Sequence, residues 1–398
     1  MHAYSAFRSR DYRFLLAGQF LANFGMQMLS VAVSWDLYIQ TKSALVLGNV
    51  GFVQVAPFIL FALFAGHVAD RYDRRRTLIL TQIPILAASL LLIFGFRSVA
   101  VIYGCLFLAA CGRAFQWPTR QALLPHIVTD EILSNAITWN SSVQEISSVS
   151  GPAVAGLLIA AAGSRTVYLV QTICACLTLA CYIGLRYRSK PIVNAPAPDA
   201  KSLLEGMHYV RKNKLVLSAI SLDLFAVLFG GATALLPIYA TDILHAGARG
   251  LGWLRAAPSI GSVTMALILA HSPKIRRAGA ILLWAVAGFG AATIVFGVSK
   301  SMVLSLIMLA LTGAFDNISV VLRISLLQAT PDYVRGRVLA FSSVFISSSN
   351  QFGAVESGWT AAWFGAVRSV AGGGIATIAV VLICAAVSVP LRKWKQQG

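Results

Sequence analysis

The sequence predicts an all-α protein built into a membrane, and three observations carry that expectation. Of 398 residues, 58% are apolar and only 12% charged, whereas soluble domains carry about 25% charged residues. The apolar residues fall in twelve runs, each long enough for a helix to cross about 30 Å of hydrocarbon. The basic residues behind the net charge of +18 gather in the gaps between those runs. A nucleic-acid binder would concentrate them on one soluble face, so no nucleic-acid partner is expected.

In chain order, the N-terminus is polar and aromatic through Arg13, with no cleavable leader expected before the first span, 14–38. Spans 46–69 and 77–97 flank a charged stretch from Gly66 to Arg76. It packs six ionisable residues into seven positions, 70–76, which reads as a tight hairpin in water. Spans 99–118, 138–162 and 166–186 complete a first set of six. The longest polar interval, Tyr187 to Lys214, follows. Its prolines between 189 and 198 predict a linker. Leu203, Leu204, Met207 and Val210 then sit at helical spacing with basic residues opposite, predicting a short amphipathic helix on the membrane surface. The second set comprises spans 215–239, 250–271, 279–298, 302–326, 338–363 and 368–391. The expected organisation is a six-helix bundle over 1–187, a linker with an amphipathic helix over 188–214, and a second six-helix bundle over 215–398.

An even number of spans places both termini on one side. With the termini inside, 23 basic residues fall in inner segments, 6 in outer ones, and Arg113, Arg255 and Arg323 within spans. The positive-inside rule then predicts cytoplasmic termini, and the expected location is a bacterial inner membrane. The six cysteines all fall in apolar runs without metal-ligand spacing, and read as small packing residues. No nucleotide-binding glycine loop and no His-Glu-x-x-His motif occurs, so neither an ATPase nor an enzyme is expected. No cofactor or metal is expected either.

Charges inside spans cost roughly 2.5–3.5 kcal/mol each on insertion scales, and so face a cavity or one another. They are Asp36, Arg113, Glu145, Asp223, Arg255, Asp316, Arg323 and Glu356. Asp316 and Arg323 are seven apart, on one helix face, but too distant for contact without a third group. Glu145 lies among Asn140, Ser141, Ser142, Gln144, Ser147 and Ser148, a half-span suited to an aqueous path. Asp36 is close to the end of its span, where solvent is its simplest partner. Glu356 lies deep in span eleven beyond the polar run Ser347–Gln351; burial disfavours its charge, which suits a proton carrier unless an arginine such as Arg255 pairs with it. Arg113 and Arg323 read first as partners of acids and second as anion ligands.

Gly66, Asp70, Arg71, Arg74 and Arg75 resemble the loop between helices two and three of the major facilitator superfamily. In that family the glycine allows close helix approach and the charges form a conformational latch. Gly151 and Pro152, with Gly156, resemble the Gly-Pro motif of its exporters, although Ser147 stands where a further glycine is usual. Trp35-Asp-Leu-Tyr, Arg113-Ala-Phe, Arg335-Gly-Arg-Val and Ser348 to Gly358 are similar to the enterobactin-exporter-like branch over nearly the full length. The two halves also match weakly: Arg113-Ala-Phe answers Gly313-Ala-Phe, and an offset of 202 aligns Gly151 with Gly353. The resemblance implies two bundles around a cavity, alternating access, and export of a small amphiphilic molecule such as a siderophore or drug by proton antiport. It further implies a monomer in the lipid bilayer. An importer of the same fold and a non-transporting membrane sensor or assembly protein are the alternatives.

Overall fold

Long uninterrupted apolar stretches have only one way to satisfy their backbone in lipid, and this chain takes it. The computed structural model describes residues 4–95, 97–187, 207–273, 275 and 277–394. The side chains of residues 62, 63, 70, 332, 333, 340, 341, 343, 344 and 347 are outside that description. The helices are α1 (Arg10–Thr41), α2 (Ala44–Arg71), α3 (Arg74–Gly95), α4 (Val99–Ile127), α5 (Asp130–Ala162) and α6 (Ser164–Gly184). After a short helix over 207–212 come α7 (Lys214–Phe229), α8 (Gly247–His271), α9 (Ala278–Val298), α10 (Met302–Gln328), α11 (Asp332–Phe364) and α12 (Ala366–Val387). Eleven stretches among the described residues are long and apolar enough to cross a membrane; α11, with 33 residues, has the length to do so. Side chains such as Phe94, Trp284 and Val387 are more than three-quarters exposed. A soluble surface would not tolerate so many large apolar groups; lipid is their solvent.

Several helices outrun the expected spans. α5 begins at Asp130 rather than 138, and α4 continues to Ile127. A helix of 33 residues is about 50 Å long, more than the hydrocarbon thickness, so its ends stand in the headgroups or in water. Span seven departs in the other direction. α7 stops at Phe229, and after Gly230 and Gly231 the chain continues as a 3-10 turn, Ala232–Leu235, a short α segment and a π-helical turn, Tyr239–Ile243. Neighbouring backbone presses on the break. A Cβ at Gly353 of α11 would lie 2.9 Å from the carbonyls of Val227 and Leu228, and one at Gly373 of α12 would collide with that of Phe229.

The chain forms two compact units, Met1–Gln40 with Val53–Pro198, and Thr41–Phe52 with Asp199–Gly398. In the first, α3 packs on α4 and α6; in the second, α9 packs on α10 and α12. The same pairing recurs six helices later, as a repeat of two halves requires. The division does not fall wholly in the interval after 187, because the first turns of α2 group with the second unit. There Gly48 meets Gly358, Asn49 Oδ1 accepts from Trp359 Nε1 at 3.2 Å, and Phe52 contacts Phe352 and Trp359. Of the expected amphipathic helix only residues 207–212 lie within the description and are helical; Asn213 then ends it and caps α7 through the amides of Leu215 and Val216.

The charged stretch 66–76 is less of a loop than expected. α2 runs through Asp70 to Arg71 and α3 begins at Arg74, leaving Tyr72 and Asp73 as the turn. Asp73 Oδ1 accepts from the Arg76 amide at 2.9 Å, an N-cap for α3. Arg74 is buried rather than solvated. Arg75 donates to the Ile183 carbonyl at 2.6 Å, satisfying an end group of α6. Among the described residues the close approach expected at Gly66 does not occur, since nothing lies within 4 Å of a Cβ built there. It occurs instead at Gly151 of α5, where a Cβ would lie 2.6 Å from Gln27 of α1.

Candidate functional site

α10 carries Phe315, Asp316, Ser319 and Arg323 at spacings of three, four and seven, so the polar three share a stripe. α7 brings Asp223 to that stripe. The Asp223 carboxylate pairs with the Arg323 guanidinium and accepts from Ser319 Oγ at 3.5 Å. Asp223 is 3% exposed and Arg323 5% exposed, so the pair is shielded from water. Asp223 thus takes the Arg323 end of the face that Asp316 shares, while Asp316 has no ion pair among the described residues. Asp223, Asp316 and Ser319 line one narrow cavity with Val286, Phe289 and Phe315. Among the described residues Arg323 Nε is buried without a hydrogen-bond partner, which leaves a spare donor beside the Asp223 carboxylate. Two acids and one guanidinium carry a net charge of −1 when all are ionised, and one proton neutralises the set.

The other candidates are dispersed. Glu356 of α11 is partly buried, accepts from Ser357 Oγ at 3.4 Å, and has no ion pair among the described residues. Arg255 lies on α8, one residue after the buried Leu254. Asp36 is not solvated: it is 7% exposed and accepts from Ser164 Oγ at 2.5 Å and from Tyr168 Oη at 2.6 Å. Because Ser164 opens α6, the carboxylate also faces a helix N-terminus, where the helix dipole favours it. This acid ties α1 to α6.

Sequence reasoning missed the polar ladder between α1 and α5. Asn23 Nδ2 donates to Gln144 Oε1 at 2.6 Å, Gln27 Nε2 to Ser148 Oγ at 3.1 Å, and Tyr12 Oη to the Ala136 carbonyl at 2.9 Å. Asn23 and Gln27 on α1, and Gln144 and Ser148 on α5, each stand four residues apart on their helix, and that signal was available. Glu145 stands beside this ladder, partly buried and without an ion pair among the described residues. Arg113 of α4, expected first as a partner of acids, has neither an ion pair nor a hydrogen bond among them. Ser147 is fully buried and turned back to the Val143 carbonyl at 2.8 Å. Among the described residues no cluster of His, Cys, Asp or Glu could hold a metal.

Membrane-crossing helices in two repeated sets of six, with a buried acid–arginine cluster inside one and a polar ladder inside the other, define a polytopic transporter rather than an enzyme. The chain belongs to the transmembrane secretion effector family of the major facilitator superfamily, whose model matches residues 1–397. It is 24% identical over 385 residues to the staphyloferrin A transporter of Staphylococcus aureus (strain NCTC 8325 / PS 47), covering 93% of this chain and 94% of that one. It is 26% identical over 396 residues to the enterobactin exporter EntS of Shigella boydii serotype 4, covering 97% and 93%. The macrolide efflux protein A of Streptococcus pyogenes is 26% identical over 253 residues, 62% of each chain. Among solved structures, a peptide transporter POT in complex with sulfate superposes with a TM-score of 0.76 at 12% identity over the whole of both chains. The nucleoside transporter NupG gives 0.72 at 12% identity, covering 95% of this chain and 99% of that one. These two speak to the fold alone.

Proposed function

We propose that this protein exports a small amphiphilic molecule across a bacterial inner membrane by alternating access, driven by proton antiport. The observation that carries the coupling is the Asp223–Arg323 pair with Asp316 on the same cavity. A net negative charge sealed inside a bundle is costly, and uptake of one proton removes it. The protonated, neutral cluster is then the form that accompanies the unloaded transporter, and release of the proton on the other side accompanies substrate export. Asp316 is the better proton acceptor, because Asp223 already holds the guanidinium. The sequence similarity to siderophore and macrolide exporters supports outward transport. The 23 basic residues of the inner segments support cytoplasmic termini. The chain acts as a monomer in this reading, with the bilayer and the substrate as its partners.

The test is flux in reconstituted vesicles with an imposed pH gradient and a panel of siderophore-like and drug-like substrates. Asp316→Asn should bind substrate but lose gradient-driven flux. Full gradient dependence in both Asp316→Asn and Asp223→Asn would overturn the coupling site and return the role to Glu356.

A further inference from the structure

The chain that leads into α1 does more than enter the first span. Between Tyr4 and Tyr12, around one 3-10 turn, Ser5–Arg8, it ties down the ends of three other helices of the first unit. Ser9 Oγ donates to the carbonyl of Ile127, the last residue of α4, at 2.9 Å. The same oxygen accepts from the Tyr12 amide at 3.3 Å and so caps α1. The Ala6 amide donates to Asn135 Oδ1 of α5 at 3.2 Å, and Phe7 sets its ring edge-on to Trp139, 5.0 Å between centres. Asp11 accepts from the amides of Arg186 and Tyr187, just past α6, at 2.9 and 3.0 Å. Ala6 and Tyr12 are fully buried among side chains of α4 and α5. What the segment holds is the part of α5 that precedes its apolar run, from Asp130 to Ile137. A short helix end standing in water has little stability of its own. Farther along, a Cβ on Gly151 would lie 2.6 Å from Gln27 Cβ of α1, and in between the two helices meet through Asn23–Gln144 and Gln27–Ser148. From Asn135 to Gly151 is about 24 Å of helix, so a lean of about 10° about the glycine shifts the other end by roughly 4 Å.

We infer that Tyr4–Tyr12 is a strap that sets the tilt of α5 against α1, and that its release opens the polar seam between the two helices from the end where α1 begins. Buried side chains supply the adhesion, and Ser9 supplies the register, one hydroxyl shared by α1 and α4. Ser9→Asp separates its two roles. A carboxylate still caps α1, but it cannot donate and stands against the Ile127 carbonyl. Because Gln144 of the seam is followed by Glu145, the strap governs access to that acid from this end.

Hydrogen exchange and spin-label distances on the full-length protein in lipid vesicles test it. In the wild type, the amides of Asn135 to Trp139 should exchange at least about a hundredfold more slowly than a free chain, a measurement that needs no variant. In Ser9→Asp they should exchange at least about tenfold faster, while Leu15 to Phe20 of α1 and Thr172 to Thr178 of α6 keep the wild-type rate. Arg13 and Glu131 are both exposed. Labels carried by Arg13→Cys and Glu131→Cys, with the native cysteines replaced by alanine, should move apart by roughly 4 Å in the same variant. Ala6→Glu, which puts a charge into the buried contact, should repeat both effects, and Ser9→Thr, which keeps the donor, should show neither. Wild-type amides at 135–139 as unprotected as a free chain overturn the strap. So does an unchanged distance in both Ser9→Asp and Ala6→Glu, whether or not exchange speeds up, because fraying alone leaves α5 where it is.

Discussion

Removing one partner of the Asp223–Arg323 pair should cost far more than removing both. Both side chains are almost fully buried, so Asp223→Asn leaves a guanidinium that cannot discharge. Breaking a buried pair in this way costs about 3–5 kcal/mol. At roughly 2–4 °C per kcal/mol for a domain of 150–250 residues, thermal unfolding in detergent should fall by about 6–20 °C. The double variant Asp223→Leu with Arg323→Met takes both charges away and should unfold within a few degrees of the wild type, since apolar replacement of a buried pair is often neutral or stabilising. Asp316→Asn leaves the pair intact and should also unfold near the wild-type temperature while losing gradient-driven flux. The assay is a thermal melt of the purified variants, run beside vesicle flux. Additive losses in the double variant, or an Asp223→Asn melt within about 3 °C of the wild type, would refute the reasoning.

Asp36→Ala should destabilise the first unit by about 3 kcal/mol or more, since it deletes two charge-assisted hydrogen bonds worth about 1.5–3 kcal/mol each; proton coupling should survive, measured as the ratio of flux with and without the gradient. Gly48→Leu should cost roughly 1–3 kcal/mol by overpacking, because its Cβ would lie 2.8 Å from Gly358 Cα, and a melt reads this directly. Cysteines substituted at the exposed Arg76 and Lys300, Arg76→Cys and Lys300→Cys, should label from opposite sides of an oriented membrane; labelling from one side refutes the proposed topology.

The spans were legible because period and length suffice where lipid is the solvent: α6, α9 and α12 end within a few residues of their apolar runs. What lies beyond the lipid boundary was not. α5 starts eight residues earlier than its apolar run, since polar helix in water carries no hydropathy signal. The break in span seven was announced by Gly230-Gly231, yet its apolar flanks outweighed that sign. At the site, the seven-residue spacing of Asp316 and Arg323 showed a shared face, but the partner of Arg323 was hidden. Asp223 is 100 positions from Arg323, and a single sequence holds no record of such pairings. Asp36 failed for a similar reason, because its two hydroxyl partners arrive from α6.

The interruption after Phe229 changes how span seven is held together in time. The Gly230 amide reaches Ala226 at 2.8 Å and the Ala232 amide turns back to Gly230 at 2.7 Å, so three carbonyls, of Val227, Leu228 and Phe229, lose their usual helical donors. Elsewhere in a span an amide exchanges its hydrogen only when a long cooperative rod opens. Here the rod is already cut, and each piece opens on its own schedule. Deuterium should enter around Gly231 well before it reaches Leu222 or Tyr239, marking a fast seam between two slow blocks. The piece bearing Asp223 can thus stay locked to its arginine while the hydrogen bonds beyond the glycines open independently of it.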